Sequence, residues 1–131
     1  MHRITSSFGI EARLAALVLT TALLPARVAG EAEAVDFNAH IRPLLADRCF
    51  RCHGPDEPSR KARLRLDLRE GALAQGRAGR PILQPGDPAG SELVRRILTG
   101  DPDDLMPPPD SNLSLTDPEK ELIRHWVAQG G

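Results

Sequence analysis

Apolar positions recur at helical spacing in three stretches of the chain. From Val35 to about Arg48, Phe37, Ile41, Leu44 and Leu45 share one helical face, and Asp36 stands where an N-cap belongs. Pro43 falls inside that pattern, where it costs an intrahelical bond unless it lies in a first turn or at a kink, so this helix is expected to bend or to start later. Ser91 is placed to cap a second helix on which Leu93, Val94, Ile97 and Leu98 face one way, with Gly100 to stop it. The third begins at Thr116-Asp117-Pro118-Glu119, with Thr116 or Asp117 as the cap and Pro118 in the first turn. Leu122, Ile123, Trp126 and Val127 then form its inner face, and Gly130 ends it.

Between the first two helices the period changes. Leu64, Leu66 and Leu68 alternate with Arg65 and Asp67, which predicts a short strand or extended segment. Gly71, Gly76, Gly79, Pro81, Pro85 and Gly86 follow closely and predict a loop excursion, with one helical turn around Glu70 to Gln75. No repeat appears at the periods that mark solenoids.

The N-terminus has a different organisation. Leu14 to Leu24 is an unbroken run of Leu, Ala, Val and Thr, preceded by Arg3 and Arg13 and followed by Pro25 and the small residues around Val28-Ala29-Gly30. This is the layout of a secretory signal peptide, and the run is well short of the roughly 18 residues that cross a bilayer. Residues 1–30 are therefore expected to be a leader, cleaved somewhere between 30 and 34, and 35–131 to form one domain in a periplasmic or secreted setting.

Composition sharpens the picture of that domain. The 17 Lys and Arg nearly balance the 18 Asp and Glu, which gives nucleic acid binding no support. Aromatic residues are 3% of the chain, and beyond the leader they are only Phe37, Phe50 and Trp126. Ordering about 100 residues costs on the order of 100–200 kcal/mol of conformational entropy, offset mostly by apolar burial. So thin a core calls for something else to fill the middle, and two cysteines allow only one disulfide.

Both cysteines lie in Cys49-Phe50-Arg51-Cys52-His53, directly after the first helix. This is C-x-x-C-H, the attachment motif of a c-type haem. Two thiols three residues apart can add to the two vinyl groups of one haem, and the next residue presents an imidazole to the iron. A haem would also supply the missing core. The plainer reading is a disulfide or half of a structural metal site with His53 incidental. A thioredoxin-like pair would be expected beside a βαβ pattern, and zinc needs four ligands where only His40 and His125 remain beyond the leader.

With iron on His53, the sixth position falls to His40, His125 or Met106. His40 sits beside the apolar stripe of the first helix, and His125 neighbours Trp126 on the last; both read more simply as surface or partly exposed helix residues. Met106 is the one methionine after the initiator. It lies in Asp103-Asp104-Leu105-Met106-Pro107-Pro108-Pro109, a loop and not a helical stripe where methionine would normally be core packing. The three prolines stiffen that loop and can hold the sulfur in a fixed direction, which makes Met106 the expected partner of His53.

Taken together, these residues resemble the class I cytochromes c, and more narrowly the planctomycete-type cytochrome c domain. The resemblance rests on Val35-Asp36-Phe37, Ile41-Arg42-Pro43-Leu44-Leu45, Cys52-His53-Gly54, Leu64-Arg65-Leu66-Asp67, Pro85-Gly86-Asp87-Pro88, Ser91-Glu92-Leu93, Met106-Pro107-Pro108 and Trp126-Val127-Ala128-Gln129-Gly130. It implies an all-α, class I cytochrome c-like fold around one covalent haem c, in which the first and last helices cross and Phe37 packs on Trp126. In that family the domain commonly heads a longer secreted protein, so attached or associated enzyme domains are an expectation too.

With both axial positions filled, the expected chemistry is outer-sphere electron transfer by a carrier, not an enzyme, docking transiently to redox partner proteins with no permanent membrane span. Cofactor-binding residues are expected to be Cys49, Cys52, His53 and Met106, with His53 and Met106 on the metal. Arg63, Arg65 and Arg80 are candidates to pair with the haem propionates. Charge is uneven: Arg42 to Arg69 is mainly basic, and Asp101 to Glu121 mainly acidic, read as ordinary solvated surface before docking faces. Two other classes stay open: a haem-based sensor in which Met106 dissociates to admit a small ligand, and a haem-free thiol–disulfide oxidoreductase.

Overall fold

The structure is a computed structural model that describes residues 34–77 and 79–131. The expected leader lies outside the described residues. Among them the architecture is all-α, with no named strand.

Asp36 caps the first helix, its side chain accepting the Ala39 N–H at 2.6 Å. The first five residues, Phe37–Ile41, form a π-helical turn in which the Arg42 N–H donates to the Phe37 carbonyl. This turn runs directly into α1, Arg42–Arg48, so Pro43 occupies the first turn of a regular α-helix. The widened turn is how the chain absorbs a residue that has no N–H to donate. Ile41 and Leu45 are fully buried, whereas Phe37 stays at the rim with its ring centroid 5.6 Å from that of Trp126.

Cys49 links α1 to a single further turn, α2, Phe50–His53. The strand expected over Leu64–Leu68 is absent: the segment is irregular, and the described residues hold only an isolated bridge between Gln75 and Pro81. Its N–H groups are spent elsewhere, Leu66 donating to the His53 carbonyl at 2.8 Å and Leu64 to that of Lys61 at 3.1 Å. A period-two pattern needs a neighbouring strand to become a ladder, and here the neighbour is a helix end. The helical turn expected nearby is α3, Arg69–Ala72.

α4 spans Glu92–Leu98, with Ser91 at its N-cap position. Contrary to expectation, the Ser91 hydroxyl does not cap it. The residue is fully buried, and its Oγ accepts the Gln84 N–H and donates to the Asp87 carbonyl, both at 2.8 Å. It ties the preceding turn to the helix start instead. A short 3₁₀ turn, Pro109–Ser111, precedes α5, Asp117–Ala128. At its start the expected capping box is complete: Thr116 donates its N–H to Glu119 Oε2 at 2.7 Å, and the Glu119 N–H reaches Thr116 Oγ1 at 3.4 Å. Gly130, with φ 116°, takes the backbone out of the helix.

α5 packs across the π-helical turn and α4. The core between them is Ile41, Leu45, Leu83, Val94, Ile97, Leu115, Ile123, Trp126 and Val127. Among the described residues no helix is long and apolar enough to cross a membrane.

Candidate functional site

The C-x-x-C-H segment is a tight knot of backbone bonds. The Leu45 carbonyl accepts the Cys49 N–H at 2.8 Å, and the Cys49 carbonyl accepts from both Cys52, at 3.1 Å, and His53, at 2.8 Å. One turn thus carries two thiols and an imidazole. The carbonyls that a helix end leaves orphaned are met by the following loop: Lys61 donates to Cys52 at 2.7 Å, and Leu66 donates to His53. Arg60 closes the same loop with Nε to the Gly54 carbonyl at 2.9 Å and Nη2 to that of Pro55 at 2.7 Å. Only glycine fits at position 54, because a Cβ there would overlap the Phe50 carbonyl.

Cys49 and His53 face a cavity of about 370 Å³, and Met106 lines it as well. Its apolar wall comes from Leu64, Leu66, Ile82 and Leu93, and Glu92, Arg77 and Arg96 supply the polar lining. The alternating leucines thus wall a hollow, which explains their pattern without a strand. A second hollow of about 320 Å³ shares Leu66 and Leu93 with it and is edged by Phe37, Leu68, Leu73 and Trp126. Both fall within the roughly 300–1,000 Å³ of small-molecule and cofactor sites.

Sequence reasoning had linked Cys49, His53 and Met106, and the fold brings them to one cavity. Cys52 belongs to the same turn, is half-buried and does not line the hollow. His40 is exposed on the π-helical turn, its Nδ1 accepting the Asp36 N–H at 3.1 Å, and His125 is half-buried on α5; neither lines the cavity. None of the three arginine candidates lines the cavity. Arg65 is taken by Asp67, with Nε to Oδ1 at 2.7 Å, while Arg63 and Arg80 are exposed and also lie outside the cavity lining. Arg77 and Arg96 are the cations that do line it. Only the α4 member could have been found from spacing, since Glu92, Arg95 and Arg96 stand at i, i+3 and i+4.

Protonation at the site follows from burial. Cys49 is pushed up to about 11 by burial and, secondarily, by the neighbouring Cys52. A thiol so held is almost wholly protonated at neutral pH, the reverse of the lowered thiol of a thiol–disulfide oxidoreductase. Burial also holds His53 below the usual histidine range, reinforced by the Arg96 guanidinium and opposed by the Lys61 carbonyl. The ring is therefore neutral near pH 7, the form that ligates a metal. Its Nδ1 is buried with no hydrogen-bond partner. Among the described residues no three His, Cys, Asp or Glu side chains converge as a metal site, which leaves the zinc reading without a ligand set.

Residues 49–110 match the family model described as Planctomycete cytochrome C. The match supports a planctomycete-type cytochrome c domain over that stretch. No curated protein and no solved structure gives a match. The matched stretch of this cytochrome c domain opens on Cys49 and closes after the Met106 loop, so it contains the motif, the cavity wall and α4. A domain of this family is a haem-binding electron-transfer module, and this chain's residues fit the group. The thiols, a neutral imidazole with an unpartnered nitrogen and a thioether belong to one fold region, and the hollow beside them is walled by leucine and isoleucine.

Proposed function

We propose that this chain is an exported monohaem c-type cytochrome that carries single electrons by an outer-sphere route, with thioether bonds at Cys49 and Cys52 and axial ligation by His53 and Met106. The observation that carries this reading is the shared cavity: His53 and Met106, which lie far apart in sequence, line one apolar hollow together with Cys49. The haem, when bound, supplies the Fe(II)/Fe(III) couple.

The protein's part is to hold and to exclude. Cys49 and Cys52 would hold the haem, each by addition of its S–H across one vinyl group, with a C–S bond formed, the hydrogen on the adjacent carbon and no net change of electrons. α2 fixes His53 on one side of the cavity, and the proline-stiffened loop presents Met106 from another element. Leu64, Leu66, Ile82 and Leu93 keep water from the hollow, which lowers the reorganisation that accompanies a change of charge. Arg77 offers a guanidinium group to the carboxylates of the cofactor's edge, while that of Arg96 is engaged by Glu92 and Asp104. The electron leaves by way of a small, transient interface with a redox partner protein.

Replacement of Met106 by Ala tests the axial assignment. The variant should retain its covalent haem, lose the weak far-red absorption that marks thioether ligation of ferric iron, and have a lower reduction potential, because a thioether favours the reduced metal. An unchanged spectrum and potential would remove Met106 from the site.

A further inference from the structure

We propose that Asp104, gripped by Arg95 and Arg96, is a positioning residue that holds Met106 over the cavity. This rests on the reading of Met106 as an axial ligand and adds the machinery that keeps it there.

The geometry begins on α4. Glu92, Arg95 and Arg96 stand on one face of this helix, and the Glu92 side chain is only 11% exposed. Its carboxylate accepts Arg95 Nε at 2.8 Å, Arg95 Nη2 at 2.7 Å and Arg96 Nε at 2.8 Å. The guanidinium groups so oriented have donors left, and both turn to the loop. Arg95 Nη1 reaches Asp104 Oδ2 at 2.9 Å, and Arg96 Nη1 lies 3.4 Å from Asp104 Oδ1. The grip is completed through the backbone, for the Met106 N–H donates to the Arg96 carbonyl at 3.0 Å. Arg96 therefore holds the loop twice, once by its side chain at Asp104 and once by its carbonyl at Met106.

An isolated surface pair contributes little, because solvent screens it and two long side chains must be ordered. Here the ordering has been done by the buried Glu92, so the arginines meet Asp104 already fixed. Asp104 also closes the loop's own turn, its N–H and that of Leu105 both donating to the Asp101 carbonyl, at 3.2 and 2.9 Å. Three residues on, the stiff prolines begin. A displacement at Asp104 is thus passed to the sulfur instead of being absorbed by a flexible link.

The test uses the exported holoprotein and its Asp104→Asn, Asp104→Glu and Arg95→Gln variants, with Met106→Ala as the reference for lost ligation. Three readouts are taken: the far-red thioether band of the ferric protein, the reduction potential, and the rate at which carbon monoxide binds the reduced protein. Asp104→Asn and Arg95→Gln should weaken the band, lower the potential and speed carbon monoxide binding by about tenfold, the loss of one charge-assisted contact. Asp104→Glu should recover most of each, and thermal melting should change far less than the spectra. If Met106→Ala moves all three readouts while Asp104→Asn and Arg95→Gln move none, the positioning role is wrong and the axial assignment stands. If Met106→Ala moves none, the axial assignment has failed. Losses that simply follow reduced stability, without rescue by Asp104→Glu, contradict the proposal as well. Should Asp104→Asn not fold, Arg95→Gln decides by the same readouts.

Discussion

At the scale of single residues, the site depends on a few groups whose chemistry is set by what surrounds them. Burial keeps Cys49 a protonated thiol and His53 a neutral ring near pH 7. Glu92 is the opposite case, a carboxylate kept ionised at low pH. The Arg95 hydrogen bond above all, then Arg96, holds it down at about 2, against the opposing effect of burial. A carboxyl lowered in the folded protein adds stability that is complete above its ordinary value near 4.5 and disappears as pH falls through the folded value. Glu92→Gln should therefore cost about 2 kcal/mol at pH 6 and have little effect at pH 2, after discounting for solvent screening. Urea midpoints of the two proteins across that range provide the check. A constant difference at every pH would mean that Glu92 contributes through packing and not through its charge.

At the scale of elements, the helices were legible and the connections were not. Asp36 and Thr116 mark helix starts because the cap chemistry is local: the acceptor and the N–H it satisfies are three residues apart. Pro43 pointed to a disturbed first helix, and the π-helical turn before it is that disturbance. Leu64 to Leu68 misled because alternation reports a one-sided apolar environment and says nothing about which partner provides it. The partner turned out to be the end of α2 and the cavity. Ser91 misled for a related reason: a buried hydroxyl takes the strongest partners in reach, and these lay in the turn that begins at Gln84. Because the Thr116 cap closes both halves of its box, Thr116→Ala should lower stability by about 1 kcal/mol. Chemical denaturation measures it, and an unchanged midpoint would show that α5 is held by its packing on α4 and the π-helical turn without help from the cap.

At the scale of the whole molecule, the shortage of aromatic residues finds its explanation in where the apolar side chains go. Nine buried residues form a core on the side where α5 crosses the first helix and α4. Leu64, Leu66, Ile82 and Leu93 line a hollow instead of closing it. That the cysteine motif and the Met106 loop would meet across this hollow could be proposed from residue types. The cations beside them could not, because Arg77 and Arg96 reach the cavity only through the course of the loop and the rotation of α4, which no short-range pattern records. The family match supplies the haem-binding character of the domain, and the hollow supplies room for it. The most direct test is the intact mass of the protein exported from a host that matures c-type cytochromes, taken after denaturing extraction and alongside Cys49→Ser and Cys52→Ser. Covalent attachment at both thiols predicts a polypeptide heavier by one haem, with a shared low-spin spectrum before extraction, and a sharply reduced yield of haem-bearing protein for each variant. A folded, exported chain with no added mass would contradict the account at its centre.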